Sequence, residues 1–255
     1  MTRTLIVPAA GLGTRLRSDV PKLITPVAGR PMIAYVLARF DAFCDRFVLV
    51  IHPSARASVE ATLRDAPQSI VLAEQPHATG MLDAILLAAD AVRAAGPDRV
   101  WICWCDQVLL SAGTLQRMAA LELETPPPAA VVPTARVPDP YIHFDRDAAG
   151  RLTAVRQRRE GDLMPGIGET DAGVFGLSEH SYDEQLAEYA RQAVVGRITA
   201  ERNFLPFLPW LATRETVVTV PVANAFEARG INTPDDLAFA ELHLRAGDPR
   251  GSLST

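Results

Sequence analysis

Apolar and polar positions along this chain fall into short blocks of two alternating kinds. Leu5-Ile6-Val7, Arg46–Ile51, Arg99–Cys105 and Ala129–Pro133 are largely apolar runs, the pattern of buried strands, and Gln68–Leu72 reads as a further short strand. Between them, Pro31–Phe40, Ser54–Arg64 and Gly80–Val92 read as helices. In the first of these, Pro31 suits a first helical position and Ile33, Val36, Leu37 and Phe40 recur at helical spacing. The alternation predicts an α/β fold: a Rossmann-like, mostly parallel mixed sheet flanked by helices, with right-handed crossovers. In such a sheet ligands bind outside the carboxyl ends of the strands. The segments after three predicted strands, 9–22, 74–80 and the turn at Asp106, are therefore expected to share one crevice.

From Thr125 the texture changes. Pro126-Pro127-Pro128 marks a break, and Tyr141–Phe144 with Leu152–Arg156 alternate as an antiparallel hairpin around Asp147-Ala148-Ala149-Gly150. This predicts a small antiparallel subdomain within about 135–170. Glu169–Leu177 returns to the core pattern. Helices are then expected near Ser181–Gln192 and Leu205–Leu211, a last strand at Val217–Val220, and a helix over Pro234–Leu244 with Asn232 or Thr233 as its cap. The expectation is a single domain over 1–246 and a frayed polar tail over 247–255. No internal repeat is found.

Composition narrows the functional classes. The 255 residues are 48% hydrophobic and 22% charged, with a formal net charge of −5, so non-specific nucleic-acid or membrane binding is not expected and any basic site must be local. The first apolar run is short and ends in Pro8, which indicates neither a signal peptide nor a membrane span and leaves a cytoplasmic protein as the default. Three cysteines, Cys44, Cys103 and Cys105, do not make a disulfide framework, and packing is their expected role.

The candidate chemistry begins at Pro8-Ala9-Ala10-Gly11-Leu12-Gly13-Thr14-Arg15-Leu16-Arg17-Ser18-Asp19-Val20-Pro21-Lys22. Two glycines behind a strand let backbone N–H groups approach an anion, and Arg15 and Lys22 add positive charge. The string lacks the Gly-Lys-Ser/Thr of a P-loop, and Leu16 stands where a dinucleotide fingerprint needs its third glycine. A Gly-rich surface turn is the bland alternative. Asp106 and Asn232 each have a ready structural role as turn or cap residues. Together they supply a carboxylate and an amide carbonyl, hard oxygen donors of the kind Mg²⁺ accepts when phosphate and water complete its shell.

These residues carry a resemblance. Ala9-Ala10-Gly11-Leu12-Gly13-Thr14-Arg15, the short spacer to Pro21-Lys22, and Val27-Ala28-Gly29-Arg30-Pro31-Met32 resemble the signature of nucleoside-diphosphate-sugar pyrophosphorylases. The spacer looks most like the uridylyltransferase domain that acts on N-acetylglucosamine 1-phosphate. The likeness continues through Ala73-Glu74-Gln75, Asp106, Glu169–Phe175 and Gly230-Ile231-Asn232. It implies a nucleotide-diphospho-sugar transferase fold in which Ala9, Ala10, Gly11, Gly13 and Thr14, with Gln75, Thr79 and Gly80, line the nucleotide. By the same carry-over Arg15 and Lys22 serve the triphosphate and reacting phosphates, Asp106 and Asn232 hold Mg²⁺, and Glu169, Asp171 and Gly173 face the acceptor. Two departures stand out. The usual Gly-Thr after the glutamine segment is here Pro76-His77-Ala78-Thr79-Gly80, and the sugar-binding Glu-x-Asn-x-Gly has Asp171 in place of the amide. The hexapeptide-repeat second domain of the uridylyltransferase is not found in this sequence.

The implied reaction is transfer of a nucleotidyl group, most simply from UTP, to a sugar 1-phosphate, with pyrophosphate released. The alternatives are cytidylyl transfer to a polyol or amino-alcohol phosphate, and a catalytically silent nucleotide-sensing subunit. A molybdenum-cofactor guanylyltransferase is disfavoured by the hairpin and by the late Gly-Ile-Asn-Thr segment. Three further features have open roles. His77 reads as a base contact or an exposed loop residue; Arg156, Arg158 and Arg159 as a clamp for a second anionic group or a solvated strand edge. The run Asn203–Trp210 reads as a homo-oligomer contact, an acceptor wall or core.

Overall fold

A computed structural model describes residues 1–11, 16 and 20–247. Strand β1 (Arg3–Ala9) leads by a short 3₁₀ turn at Lys22–Ile24 to the ribbon β2 (Pro26–Val27) and β3 (Arg30–Pro31), then helix α1 (Met32–Phe40). Next come β4 (Arg46–Ile51), α2 (Arg56–Leu63), β5 (Ile70–Glu74), α3 (Met81–Leu87), α4 (Ala89–Ala95), β6 (Arg99–Cys103) and α5 (Ala112–Leu121). The second half comprises β7 (Ala130–Pro138), the hairpin β8 (Ile142–Arg146) and β9 (Leu152–Gln157), β10 (Ile167–Asp171) and β11 (Val174–Ser178). A single π turn at Ser181–Gln185 leads into α6 (Leu186–Gln192), followed by α7 (Phe207–Ala212), β12 (Val217–Pro221) and α8 (Pro234–Gly247).

Among the described residues one sheet of eight strands runs β5-β4-β1-β6-β11-β7-β12, with β10 on the same side of β7 as β11. β5, β4, β1 and β6 are parallel, and β11 is antiparallel to both β6 and β7. The expected mixed sheet flanked by helices is therefore present, its parallel half joined by helical crossovers and its second half built on β7, to which β10 and β11 are antiparallel and β12 parallel. Every residue of β4 after Arg46 is buried, as an apolar run covered on both faces should be, whereas β5, at the sheet edge, is only half-buried along its length. Alternation along the strands sends Ile6, Val48, Val100 and Ile102 into one core and Leu5, Val7, Leu49 and Trp101 into another, on opposite faces.

Several boundaries differ from the sequence reading. The expected helix over Gly80–Val92 is two helices meeting at Ala88. α5, which was not foreseen, starts at Ser111, whose hydroxyl accepts the Thr114 N–H at 3.1 Å. The strand expected to reach Cys105 is regular only to Cys103; the Trp104 N–H still donates to the Gly173 carbonyl at 2.9 Å, where the facing strand is interrupted. Glu169–Leu177 is one line of chain interrupted at Ala172-Gly173. Asp171 faces Thr134 and Gly176 faces Val131, so five steps on this side span three on β7. Gly173 takes φ +70 there, a bulge that a side chain would strain.

Candidate active site

The site lies at the carboxyl ends of β1 and β6, where parallel pairing gives way to antiparallel. Ala9 ends β1 buried, Ala10 is half-buried and Gly11 is exposed; among the described residues an added Cβ at Gly11 would meet nothing within 4 Å. Gly13, Thr14 and Arg15 lie outside the described residues. Leu16 is buried in a small core with Val108, Leu109 and Ile231, which fastens this segment to those that carry Asp106 and Asn232.

Three side chains remote in sequence meet here. The Lys22 ammonium donates to Asp106 Oδ2 and, at 3.0 Å, to Asn232 Oδ1. The backbone explains the approach of the last segment. The Ile231 N–H donates to the Asp106 carbonyl at 3.2 Å, and a Cβ at Gly230 would lie 3.0–3.1 Å from the Asp106 carboxyl, tighter than side chains normally pack. Thr233 takes the helix-capping role, its hydroxyl accepting the Asp236 N–H at 3.2 Å while Asp236 Oδ2 accepts the Thr233 N–H at 2.9 Å. That leaves the Asn232 carbonyl oxygen to the site. Asp106 and Asn232 thus present adjacent hard oxygens already held by a cation, a donor set that fits Mg²⁺ once phosphate oxygens fill its remaining positions. Among the described residues no group of three or more His, Cys, Asp or Glu forms a metal cluster.

On the parallel side, the Gln75 side chain is buried and its Nε2 donates to Thr79 Oγ1 at 3.3 Å and the Gly80 carbonyl at 3.1 Å, bracing the segment after β5. Gly80, at φ +119, lies against the backbone of Arg202; a Cβ would come within 2.4 Å of its N and O. Thr79 receives the Arg202 N–H at 2.7 Å. The Arg202 side chain, unremarked in the sequence, holds Asp83 at 2.5 Å. His77 is exposed.

On the antiparallel side the three candidate acceptor residues part company. Glu169 is held by a two-pronged ion pair with Arg146 at 2.6 and 2.7 Å, and Arg146 also reaches Thr219 at 2.8 Å. Burial works to raise the Glu169 carboxyl, but the Arg146 bonds prevail and hold it below its ordinary value. This pair lines a cleft of about 320 Å³ with Thr134, Arg136 and Pro221. Asp171 instead turns inward. Burial pushes its carboxyl up to about 6, and the nearby Asp106 charge adds to this against a 2.8 Å bond from the Gly173 N–H. Gly173 carries the side chain of Gln107 over its Cα.

Arg156, on β9, pairs with Asp145, while Arg158 and Arg159, in a 3₁₀ turn just after it, pair with Asp139 and Glu201, all at the surface. Phe204, Leu205, Phe207 and Leu208 are buried, and Trp104, Phe175, Phe204 and Phe207 form a chain of ring contacts, so Asn203–Trp210 contributes to the core. The cysteines are buried and unpaired, and burial pushes the Cys105 thiol up to about 12. No helix among the described residues is long and apolar enough to cross a membrane.

Comparison with known proteins fits this geometry. Residues 5–167 match the MobA-like NTP transferase domain. The chain belongs to that family. The matched stretch of the NTP transferase domain contains Lys22, Gln75–Gly80 and Asp106. Curated relatives named Bifunctional protein GlmU extend the similarity. The protein of Acidithiobacillus ferrooxidans is 30% identical over 246 residues, covering 94% of this chain and 51% of the relative. That of Cupriavidus necator is 32% identical over 250 residues, covering 93% and 51%. The chain therefore spans about half the length of the curated relatives it matches.

Proposed function

We propose that this chain catalyses magnesium-dependent transfer of a nucleotidyl group from a nucleoside triphosphate, UTP in the first instance, to a sugar 1-phosphate, releasing pyrophosphate. The observation that carries the reading is the meeting of Lys22, Asp106 and Asn232 at the seam of an NTP transferase fold, beside the exposed Gly11. Asp106 and Asn232 would hold Mg²⁺, which supplies charge neutralisation on the phosphates when bound.

The chain's own residues meet the remaining demands. A phosphate monoester has its second pKa near 6 and is largely a dianion at neutral pH, so the acceptor oxygen attacks the α-phosphorus without a protein base. The buried, high-pKa cysteines accord with a reaction that uses no protein nucleophile. What must be overcome is repulsion between two anions and charge on the leaving pyrophosphate. Positioning and fixed positive charge do this, from Lys22 and, by the family resemblance, Arg15.

Asp171 supports a second reading, cytidylyl transfer to a polyol or amino-alcohol phosphate, since a buried carboxyl in place of an amide suits a hydroxyl-rich or cationic acceptor. One experiment separates them. UTP, CTP, GTP and dTTP are each incubated with N-acetylglucosamine 1-phosphate, glucose 1-phosphate, glycerol 3-phosphate and phosphocholine in the presence of Mg²⁺, and pyrophosphate is measured. The expected result is release with UTP and a sugar 1-phosphate, abolished by EDTA. Release with CTP and an alcohol phosphate selects the second reading, and no release in any pairing points to a nucleotide-sensing subunit.

A further inference from the structure

Two buried side-chain atoms have no hydrogen-bond partner among the described residues, Arg99 Nη2 and Gln107 Oε1. Arg99 begins β6, far from the site, and its Nη1 is satisfied by the Pro128 carbonyl at 2.8 Å. Gln107 follows Asp106 directly and is only 6% exposed. A buried amide oxygen with nothing to bond is uncommon in a folded protein, and it calls for a partner that the described residues do not provide.

The surroundings say which reactant that partner belongs to. β6 divides the crevice. On one side lie β1, β4 and β5, whose following segments carry Gly11 and Gln75–Gly80, the side assigned above to the triphosphate. On the other side lie β11, β10 and β7. The Gln107 side chain turns to this second side: a Cβ on Gly173 would fall 2.4–2.7 Å from its Cγ, Nε2 and Cδ. The bulge at Gly173 therefore leaves room for this carboxamide, which follows Asp106 directly in sequence and lies over the turn just after Asp171. The Asp106 charge is near enough to add to the upward push on the Asp171 carboxyl, and acidic surroundings of this kind repel an anionic group but accept a neutral one that donates hydrogen bonds. A hydroxyl both donates and accepts, as a carboxamide does.

We propose that Gln107 is an acceptor-binding residue, its carboxamide exchanging hydrogen bonds with a hydroxyl of the phosphorylated acceptor. The inference rests on the nucleotidyl-transfer reading above and adds a specificity-determining contact to it.

The test is Gln107→Leu, which keeps the approximate shape and removes both polar ends, with Gln107→Glu as a second variant. Kinetics are measured with the pairing of nucleoside triphosphate and acceptor, from the matrix above, that the wild type turns over, alongside thermal unfolding. Expected for Gln107→Leu are an acceptor KM raised about tenfold, the scale of one lost hydrogen bond, a triphosphate KM unchanged within about twofold, and a Tm equal to or above wild type, since no bond within the protein is lost. Gln107→Glu is expected to raise the acceptor KM at least as much, by placing a third carboxyl against a phosphorylated substrate. An unchanged acceptor KM, a matching rise in the triphosphate KM, or a lowered Tm in Gln107→Leu would each overturn the inference while leaving the reaction standing. A wild type that turns over no pairing in the matrix overturns the reaction, and the inference with it.

Discussion

The two halves of the sheet make their sites by different means. In the parallel half, β1, β4 and β5 are bound edge to edge by regular registers, and the ligand-side segments are shaped by main chain against main chain: Gly80 lies on the backbone of Arg202, and Gly11 is exposed. In the antiparallel half, the line from β10 to β11 breaks at Gly173, and side chains do the shaping: Arg146 reaches across to Glu169 and Thr219, and Gln107 lies over the bulge. Backbone cradles suit a reactant common to many enzymes, the polyphosphate. Side-chain contacts suit the one that varies. The seam between them holds Lys22, Asp106 and Asn232, on which both halves depend.

The comparison can be broken at the seam first. Lys22→Ala and Asp106→Ala are each expected to lower turnover by about 10²-fold or more, the effect of losing one preorganised electrostatic partner, whichever acceptor is used; pyrophosphate release at near the wild-type rate would remove these residues from catalysis. The glycines test the contrast itself. Gly80→Ala is expected to cost about 3 kcal/mol of stability, because its Cβ meets rigid backbone, whereas Gly173→Ala costs roughly half that, because the Gln107 side chain can swing away. Chemical denaturation of the pair measures this, and equal losses would dissolve the distinction.

Asp171 gives a pH signature confined to the antiparallel half. Its carboxyl titrates at about 6 when folded against 3.8 ordinarily. Between those values the folded chain holds the extra proton, so stability is lost as pH rises from about 4 to about 6. Asp171→Asn should therefore exceed wild type by about 2–3 kcal/mol at pH 7, with the difference vanishing below about pH 4; a constant offset across that range would place the effect elsewhere. Smallest is Arg146→Ala, expected to cost about 1 kcal/mol through a partly exposed pair while shifting acceptor KM more than triphosphate KM.

The same division governs what could be read from the chain beforehand. Buried parallel strands announce themselves as apolar runs, and β4 coincides with the expected Arg46–Ile51. The bulge in Glu169–Leu177 does not, because a run of core residues says nothing about how many face each partner. α5 was missed although Ser111, Leu115 and Met118 carry a cap and a buried stripe, with Gly113 weakening the pattern. Lys22, Asp106 and Asn232 were legible because their residue types suit one chemistry and they occur in a known order. Their meeting is a fact of three dimensions. Gln107 and Arg146 gave no signal: an amide and an arginine become meaningful only when one is found buried without a partner and the other bridging two strands.

The Lys22 bond to Asn232 joins positions 210 residues apart. During synthesis the polyphosphate cradle and the crossover helices can form early, yet the charge arrangement at the seam waits for the segment just before the final helix. On the proposed reading, a chain that ends before Asn232 lacks one of the two oxygens offered to the metal, so C-terminally clipped molecules are expected to release no pyrophosphate.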